Sequence, residues 1–468
     1  MSQRASGSEY EPTNDAYPYS FSRRTLHAQE IVDGFTDLEG TTQTVAGRIL
    51  GTRTHSSTAF IDVSDPSGSL QIIADENTIH SMSDRKLRNG DIIAAEGMVG
   101  YSQSGQPSLI AETITTLSRT LHPLHKHLLT GNAHPEQRFL ELTTNATSRK
   151  ILLARSGITS ATRQILLDEG LLEVETPVMN TFYNGGVAKP FFSHINGLRS
   201  DAFLRVTSEL YLKQLVAGGI DGVYEIAKQF RNESPGSIYN PEFTACEAYY
   251  AYKDDGWVMS TVEKIAHKAG EVALDIIGNG GEESRVDFSE SWKRISMHDA
   301  VATILLKDNI AATTEQHIIN AAQVELGVFD NYDRSLLALF KRKVEATLQT
   351  PTFITDLPRS LTPMAKGAEG NDALVKKVMF YARGIQMGDG CYEENNPELQ
   401  MDNFKRQYQR QVQDGFPQYP RDEDFMAAIE HAIPPMGGIA IGFDRMIMLA
   451  TGAKHIKDVI AFRPKRQA

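Results

Sequence analysis

A chain of 468 residues, with 41% hydrophobic and 23% charged residues, is long enough for two or three globular domains and a sizeable core. Its net charge of -12 means that bulk charge gives no sign of nucleic-acid binding, so a local basic face would have to supply it. Two cysteines, Cys246 and Cys391, are too few for a disulfide framework or a zinc site. Because we find neither a signal-peptide core nor an apolar run near the roughly 20 residues that span a bilayer, we expect a cytoplasmic protein without membrane contact.

The N-terminal quarter of the chain changes from polar sequence to short β-rich runs. Residues 1–25 are rich in Ser, Glu, Asn, Asp and Pro and predict a flexible extension. Five runs follow between about 43 and 118: TVAGRILGTR, TAFIDVSD, LQIIAD, DIIAAEGMVG and PSLIAETITTL. Turn residues separate them, which predicts a five-stranded OB-type barrel over 26–120, a fold that binds oligonucleotides. A barrel with a purely structural role is the alternative.

A loop-like linker is predicted over 121–144, and a second, larger domain over 145–468. Within it, residues near 255–350 have the apolar spacing of helices, as in WVMSTVEKIAHKAGEVAL and SLLALFKRKVEATL. We expect a helical insertion there.

Three segments of the larger domain combine glycine, proline and arginine in distinctive patterns. They are GLLEVETPVM at 170–179, FRNE at 230–233 followed by NPEF at 240–243, and GIAIGFDR at 438–445. A strand arginine such as Arg231 can grip a phosphate and a carboxylate with two-point geometry that lysine lacks. The structural alternatives are a helix-to-strand junction, a surface hairpin and a buried glycine-rich strand, but the last leaves Arg445 unexplained.

In this order the three segments resemble motifs 1, 2 and 3 of the class II aminoacyl-tRNA synthetases. A barrel ahead of the motifs, with no C-terminal anticodon domain, is similar to subclass IIb and most similar to its lysyl group. The fragments YNGGVAKPF, SELYLKQLVAGG and NPEFTACEAYYAY carry that likeness. The resemblance implies an α+β fold, in which an OB-type barrel precedes an antiparallel-sheet catalytic domain with flanking helices.

The resemblance also implies roles for individual residues. Arg231 and Arg445 would be the catalytic residues. The expected ATP contacts are Arg231, Glu233, Asn240, Phe243, Gln386 and Arg445. The expected amino-acid contacts are Gly185, Glu209 in a SELYLK strand, Arg231, Glu247, Tyr249, Asp389 and Glu393. The expected anticodon contacts are Arg53, Phe60 and Gln71, although Phe60 is equally compatible with a core position in its strand.

Glu393 is the residue that most directly indicates lysine. The lysyl enzymes have a glutamate at this place for the ε-ammonium group, whereas aspartyl enzymes have an arginine. A buried glutamate would repel an anionic substrate and would be costly to leave unpaired, so a cationic side chain is favoured. A solvated surface acid is the alternative, because the adjacent Glu394 must face the other way on a strand.

The chain departs from the lysyl pattern where ATP and metal meet. Neutral Gln386 and Met379 replace two family carboxylates, and Mg²⁺ requires oxygen ligands. Asp389 restores one acid, which we expect on the same strand face as Gln386 and as a candidate metal ligand. Further departures are Cys391, Tyr392, Ile238, Tyr239 and Ala440.

The resemblance implies a homodimer that activates lysine with ATP and Mg²⁺ and transfers it to tRNA, expected to be tRNA(Lys). Two alternatives remain open at this point. One is a paralogue that adenylates lysine or a related amine-bearing acid and passes it to a non-tRNA acceptor. The other is a non-catalytic homologue with an RNA-binding or regulatory role.

Overall fold

The computed structural model describes residues 17–18, 20–80, 87–124, 137–183, 188–278, 285–306, 313–327, 331–413, 415, 419 and 422–464. The chain divides into two compact units, Met1–Arg149 and Lys150–Ala468, each with its own hydrophobic core. Most of the predicted flexible extension, residues 125–136 of the linker predicted over 121–144, and the candidate residue Gly185 lie outside the described residues. The end of that linker is a helix, Arg138–Thr144, rather than the predicted loop.

Five strands of the N-terminal unit close into a ring in the order β1-β2-β3-β5-β4. Their bounds are β1 Thr42–His55, β2 Thr58–Ser64, β3 Ser69–Asp75, β4 Ile92–Tyr101 and β5 Pro107–Ser118. All neighbours are antiparallel except β3 and β5. Alternation sets the faces: Ile61 and Val63 of β2 are buried in the ring's core, whereas Phe60 and Asp62 lie on the outer face. The five predicted strands are confirmed.

Four helices are described in the N-terminal unit: α1 Ala28–Asp33, α2 Phe35–Leu38, α3 Glu76–His80 and α4 Arg138–Thr144. Ile31 and Phe35 of the first two helices are buried with the strand residues of the ring, so these helices complete its core.

An eight-stranded sheet organises the larger unit in the order β12-β13-β17-β18-β19-β11-β10-β6. Only the two outermost pairs are parallel, so the predicted antiparallel sheet is confirmed. Two three-stranded sheets, β14-β16-β15 and β7-β9-β8, accompany it. The strand bounds are β6 Leu172–Glu173, β7 Met179–Asn180, β8 Phe192–Ile195, β9 Ser200–Leu204, β10 Gly222–Phe230, β11 Glu242–Ala251, β12 Lys293–Ser296, β13 Thr352–Thr355, β14 Leu357–Pro358, β15 Gly367–Ala368, β16 Asn371–Val375, β17 Lys377–Ala382, β18 Ile385–Tyr392 and β19 Met436–Gly442.

Helices flank this sheet. They are α5 Ala146–Asp168, α6 Glu209–Ala217, α7 Asp255–Ile277, α8 Met297–Leu306, α9 Glu315–Leu326, α10 Tyr332–Leu339, α11 Pro397–Gln413, α12 Glu423–Glu430, α13 Phe443–Thr451 and α14 Ile456–Val459. Short π-helical and 3-10 turns extend α10 over Phe340–Val344 and Glu345–Thr347. The described part of 255–350 is therefore mainly helical.

Helix α7 shows how local sequence sets these elements. Asp254 caps its first turn by accepting a hydrogen bond from the Trp257 amide at 3.1 Å, and Gly278 ends it at φ 76°. Its buried stripe includes Val258, Val262 and the alanines that follow, which packs the helix against the sheet core. Of the helices in the described part of the chain, none combines the length and the apolar character that a membrane crossing requires.

Candidate active site

A cavity of about 210 Å³ lies on the central strands of the eight-stranded sheet. Strands β10, β11, β19 and β18 are neighbours there, so residues far apart in sequence meet in its wall. The predicted site residues that line the cavity are Arg231, Glu233, Asn240, Phe243, Glu247, Gln386, Asp389 and Arg445.

The hairpin of β10 and β11 carries the FRNE and NPEF segments. The two strands pair antiparallel up to Phe230 opposite Glu242, and the loop between them carries Arg231 and Asn240. Within this loop the Arg231 amide donates to the Pro241 carbonyl at 2.9 Å, and the Asn240 side-chain amide donates to the Glu242 carbonyl. The two segments therefore lie on a pair of antiparallel strands and the loop that joins them.

Arg445 is fixed by backbone carbonyls on two sides of the cavity. Its Nε donates to the Ile238 carbonyl at 3.1 Å and its Nη1 to the Gln386 carbonyl at 2.8 Å. The guanidinium also lies over the ring of Tyr239, 4.7 Å from its centre. Burial lowers the pKa of Arg445, and the nearby positive charge of Arg231 lowers it further, whereas Tyr239 opposes this change. Arg445 is still a cation at neutral pH.

Arg231 is exposed and supplies a second guanidinium in the same cavity wall. Its Cζ lies 5.1 Å from the centre of the Phe243 ring. Two guanidinium groups converging on one cavity, each beside an aromatic ring, suit a ligand that combines phosphate charge with a flat aromatic base.

A buried ion pair locks the walls of the cavity together. Arg155 of α5 donates to Asp444 at 2.6 Å, to Thr244 Oγ1 at 2.9 Å and to the Val459 carbonyl at 3.0 Å. Asp444 in turn accepts from the Thr244 amide at 2.8 Å. This brace joins α5, β11 and the start of α13. Sequence reasoning missed the brace, although the position of Asp444 directly before Arg445 was a signal for it.

A β-bulge in β18 brings Gln386 and Asp389 to the same cavity. On a regular strand, residues three apart face opposite sides of the sheet. The β17–β18 pairing shifts register here, with Gly388 opposite Phe380 but Gln386 opposite Tyr381. The extra residue, Met387, restores a common face, so both predicted residues line the cavity.

The residues at the expected magnesium position are poor metal ligands. Met379 is buried in an apolar cluster and Gln386 is a neutral amide. Asp389 forms an ion pair with Lys377 at 2.9 Å; burial of Lys377 disfavours its charge, but Asp389 outweighs this and raises the pKa of Lys377. Within the described residues no group of three or more His, Cys, Asp or Glu side chains is placed to hold a metal. This donor set does not fit a magnesium ion held by protein carboxylates.

Glu247 is a buried carboxylate in the cavity wall with neutral partners only. It accepts hydrogen bonds from Thr207 at 2.8 and 2.9 Å, from Ser208 at 3.1 Å and from Gln229 at 3.2 Å. No ion pair joins it to a cation in the described part of the chain. Burial, with the nearby charge of Glu209, raises the pKa of Glu247 to about 7.

Three other predicted amino-acid contacts surround an internal lysine. Lys213 Nζ lies 2.6 Å from Glu209 Oε1, 2.7 Å from Glu393 Oε2 and 5.5 Å from the centre of the Tyr249 ring. Tyr249 follows Glu247 on the same face of β11, which links this group to the cavity. Sequence reasoning missed Lys213 because its contact with Glu393, 180 residues away, is set by tertiary packing.

The predicted SELYLK strand is wrong: the segment forms the start of helix α6. Leu212 and Val216, four residues apart, provide its buried stripe, which is the spacing of a helix. The same spacing stacks Glu209 and Lys213 on one side, which explains their ion pair.

Glu393 is buried, with 2% exposure, so the alternative of a solvated surface acid is excluded. Glu394 faces another way and pairs with Arg359 at 3.4 Å. A Cβ at Gly438 of β19 would lie 2.2 Å from Glu393 Oε1 and 2.6 Å from the Tyr249 ring. Glycine at this position therefore makes room for the Glu393 carboxylate, a role beyond close strand packing.

The three predicted anticodon residues share the outer face of the ring of strands. Arg53 is directly opposite Phe60, and Asp62, two residues further on, is opposite Gln71. Phe60 is half-buried and lies outside the core cluster. Arg53 pairs with Asp62 at 3.2 Å, and Gln71 accepts from the Ser108 hydroxyl at 3.1 Å.

Comparison with known proteins finds a matching family for each of the two units. The family described as tRNA synthetases class II (D, K and N) matches residues 131–467, and the OB-fold nucleic acid binding domain matches residues 43–117. The chain is 34% identical to a lysine–tRNA ligase of Gloeobacter violaceus, over 95% of this chain and 93% of that protein. It is also 34% identical to the lysine–tRNA ligase of Carboxydothermus hydrogenoformans, over 94% and 92%, and 35% identical to that of Rhizobium meliloti, over 97% and 93%.

These matches confirm the predicted OB-type fold of the N-terminal unit and the class II fold of the larger unit. The chain belongs to the class II tRNA synthetases of the D, K and N group.

Proposed function

We propose that this protein is a lysine–tRNA ligase, which activates lysine with ATP and transfers it to tRNA(Lys). The observation that carries the choice of amino acid is Glu247, a buried carboxylate in the cavity wall whose hydrogen-bond partners among the described residues are all neutral. A buried carboxylate without a cation is unfavourable, so the site is prepared for a positively charged ligand.

The charge of the whole site matches lysine. Glu209 and Glu393 pair with one internal cation, Lys213, and Glu247 lies near Glu209, so once Glu247 is ionised three negative charges minus one positive charge leave two. Lysine has two ammonium groups to balance them and one carboxylate for Arg231. Aspartate and asparagine, the other amino acids of this family, lack the second ammonium group.

The first chemical step is attack of the lysine carboxylate on the α-phosphorus of ATP. A carboxylate oxygen forms the new bond to phosphorus, the bond to the bridging oxygen breaks, and pyrophosphate leaves with that oxygen and its electrons. This reaction requires positioning and neutralisation of phosphate charge rather than a protein nucleophile. Arg231 would hold the carboxylate and α-phosphate, and Arg445 the γ-phosphate.

The remaining ATP contacts follow from the same cavity wall. Phe243 would stack adenine, Glu233 would accept from its amino group, and Asn240 and Gln386 would complete the nucleotide contacts. Mg²⁺ accompanies ATP in solution, and the donors at β18 do not suit a metal ion held by the protein.

In the second step a terminal ribose hydroxyl of tRNA attacks the lysyl carbonyl, and AMP leaves. The OB-fold unit would bind the anticodon through Arg53, Phe60 and Gln71, the aromatic by stacking and the polar groups by hydrogen bonds to base edges. This oligonucleotide-binding module favours a tRNA acceptor over a protein or small-molecule acceptor.

The proposed assembly is a homodimer. Leu167, Leu172, Val178 and Met179 are exposed apolar residues within 167–179, beside the edge strand β6. Such a concentration on a sheet edge suits burial against a second copy. Sedimentation at twice the chain mass of 51.8 kDa is expected, and a species of one chain mass at all concentrations would contradict the dimer.

Charging of tRNA(Lys) tests the function as a whole. The protein should attach lysine to this tRNA and should do so far less efficiently when the central anticodon uridine is replaced. Equal charging of both tRNAs, or adenylate formation without charging of any tRNA, would contradict the tRNA-ligase function.

A further inference from the structure

The side chain of Lys213 occupies the place where the proposed function needs substrate ammonium groups. It is 2% exposed, and its Nζ lies within ion-pair distance of Glu209 and Glu393 and over the Tyr249 ring. All three neighbours are expected contacts of the amino-acid substrate. The proposed binding site for a cationic amino acid therefore contains a cation of the protein itself, Lys213.

The groups that face Lys213 come from several elements. Glu209 lies one turn earlier on the same helix, Cys391 and Glu393 come from β18 and the residue after it, and Tyr249 comes from β11, with Glu247 nearby. Burial disfavours the charge on Lys213, but Glu209 and Glu393 outweigh it, so the pKa of Lys213 is raised. Lys213 remains an ammonium throughout the neutral range.

Glu393 depends on this ammonium for its own charge. Burial raises the pKa of Glu393, with Glu209 adding to the rise, whereas Lys213 opposes both. Removing the positive charge of Lys213 would leave two glutamates facing each other in a buried space. Glu393 would then take up a proton and would stop demanding a cationic ligand.

We propose that Lys213 is a positioning residue that sets the specificity of the site for an amino acid with two ammonium groups. It orients Glu209 and Glu393 by direct hydrogen bonds, keeps the Glu393 carboxylate ionised, and reduces three negative charges to two. The inference rests on the proposed function and concerns the selectivity of the same pocket for the charge of its ligand.

Replacement of Lys213 by residues that keep or remove its charge tests this role. Lys213→Gln retains a hydrogen-bond donor without charge, and Lys213→Arg retains the charge. The control is Arg359→Met, which removes the cation from the adjacent buried Glu394. Each folded variant is assayed for amino-acid-dependent exchange of pyrophosphate into ATP from pH 6 to pH 9, with lysine and with norleucine, which lacks the ε-ammonium group.

We expect Lys213→Gln to raise the KM for lysine about tenfold or more and to reduce the preference for lysine over norleucine. The acidic limb of kcat/KM for lysine should shift to higher pH by about one unit, which corresponds to a tenfold change in the protonation equilibrium. The KM for ATP should stay unchanged. Lys213→Arg should restore the limb, and Arg359→Met should retain the lysine KM and pH profile of the wild type.

A Lys213→Gln variant with the lysine KM, pH profile and norleucine discrimination of the wild type would overturn the inference. An equal shift in Arg359→Met would also overturn it, because the effect would then be a general loss of packing. Absence of lysine-dependent exchange in the wild type would instead overturn the proposed function, and the role of Lys213 with it.

Discussion

At the scale of single residues, the site is defined by carboxylates that are costly to bury. Glu247 has a folded pKa of about 7, raised by burial and by Glu209. Because this pKa is raised, the folded protein favours the protonated carboxyl of Glu247. The contribution of this group to stability is therefore present at low pH and is lost as the pH rises through 7. A bound ammonium group reverses the preference, since it favours the carboxylate.

Lysine binding should therefore release about half a proton per site at pH 7 and close to one proton at pH 6. The Kd for lysine should fall about tenfold between pH 6 and pH 8, as expected for a group with a pKa near 7 that must ionise to bind. Calorimetry in buffers of different ionisation enthalpy measures both quantities. Glu247→Gln should abolish the release and flatten the dependence; an unchanged release in that variant would assign the proton to another group.

Glu393 is expected to contribute the most to lysine recognition. Glu393→Gln should lower kcat/KM for lysine by a factor of roughly 100 or more, because a buried charge contact of about 3 kcal/mol is lost. The matched control is Glu394→Gln, which changes the adjacent buried acid that pairs with Arg359 instead. Steady-state pyrophosphate exchange compares them, and unchanged lysine kinetics in Glu393→Gln would remove it from the pocket.

At the scale of elements, the antiparallel strands hold the cavity residues and the Arg155 brace fixes the helices to them. The brace lies deep: the side chains of Arg155 and Asp444 are 19% and 2% exposed. Arg163, two turns further along α5, forms an exposed pair with Glu173 at 2.8 Å. The same helix thus offers a buried and an exposed ion pair for comparison.

Arg155→Met should lower the free energy of unfolding by about 3–5 kcal/mol, since it leaves Asp444 buried without its cation. Arg163→Met should change it by about 0–1 kcal/mol, as is usual for surface pairs. Denaturant unfolding of the two variants measures the difference. Equal losses would show that the Arg155 pair does not hold the helix to the sheet.

Periodicity predicted most elements but not the local irregularities on which the site depends. Alternation in the first 118 residues predicted five strands, and the spacing in WVMSTVEKIAHKAGEVAL predicted α7. Family likeness predicts a strand at SELYLK, whereas the four-residue spacing of Leu212 and Val216 indicates the helix that forms there. The bulge at Met387 leaves no signal in periodicity, since it arises from the pairing of β18 with β17.

The partners of the site residues were less accessible from sequence than the residues themselves. Motif likeness led to Glu393 and Arg445, but the contacts of Lys213 with Glu393, or of Arg155 with Asp444, span long stretches of chain. Such pairs are set by tertiary packing. Charge balance at the site could therefore be judged only once the fold was known.

At the scale of the whole molecule, the proposed function divides between two compact units. The outer face of the five-stranded ring presents Phe60 beside Arg53, whereas the cavity belongs to the larger unit. Variants of one unit should therefore affect one step. This separation distinguishes a defect in tRNA binding from a defect in adenylate formation.

Phe60→Ala should weaken tRNA binding by about 1–3 kcal/mol, the usual value of one stacked base. It should leave lysine-dependent pyrophosphate exchange unchanged. Filter binding and exchange assays on one preparation compare the two effects, with Tyr101→Ala as an exposed aromatic control from another strand of the ring. Equal tRNA affinity for Phe60→Ala and the wild type would remove Phe60 from the anticodon face.

Selective activation of lysine is tested most directly by amino-acid-dependent exchange of pyrophosphate into ATP. The wild-type protein is assayed with each of the twenty amino acids and with β-lysine. We expect strong exchange with lysine and none above background with aspartate, asparagine or any neutral amino acid, because the net charge of minus two in the pocket requires two ammonium groups. Exchange with β-lysine that exceeds exchange with lysine, exchange with a neutral or acidic amino acid, or no exchange at all would contradict it.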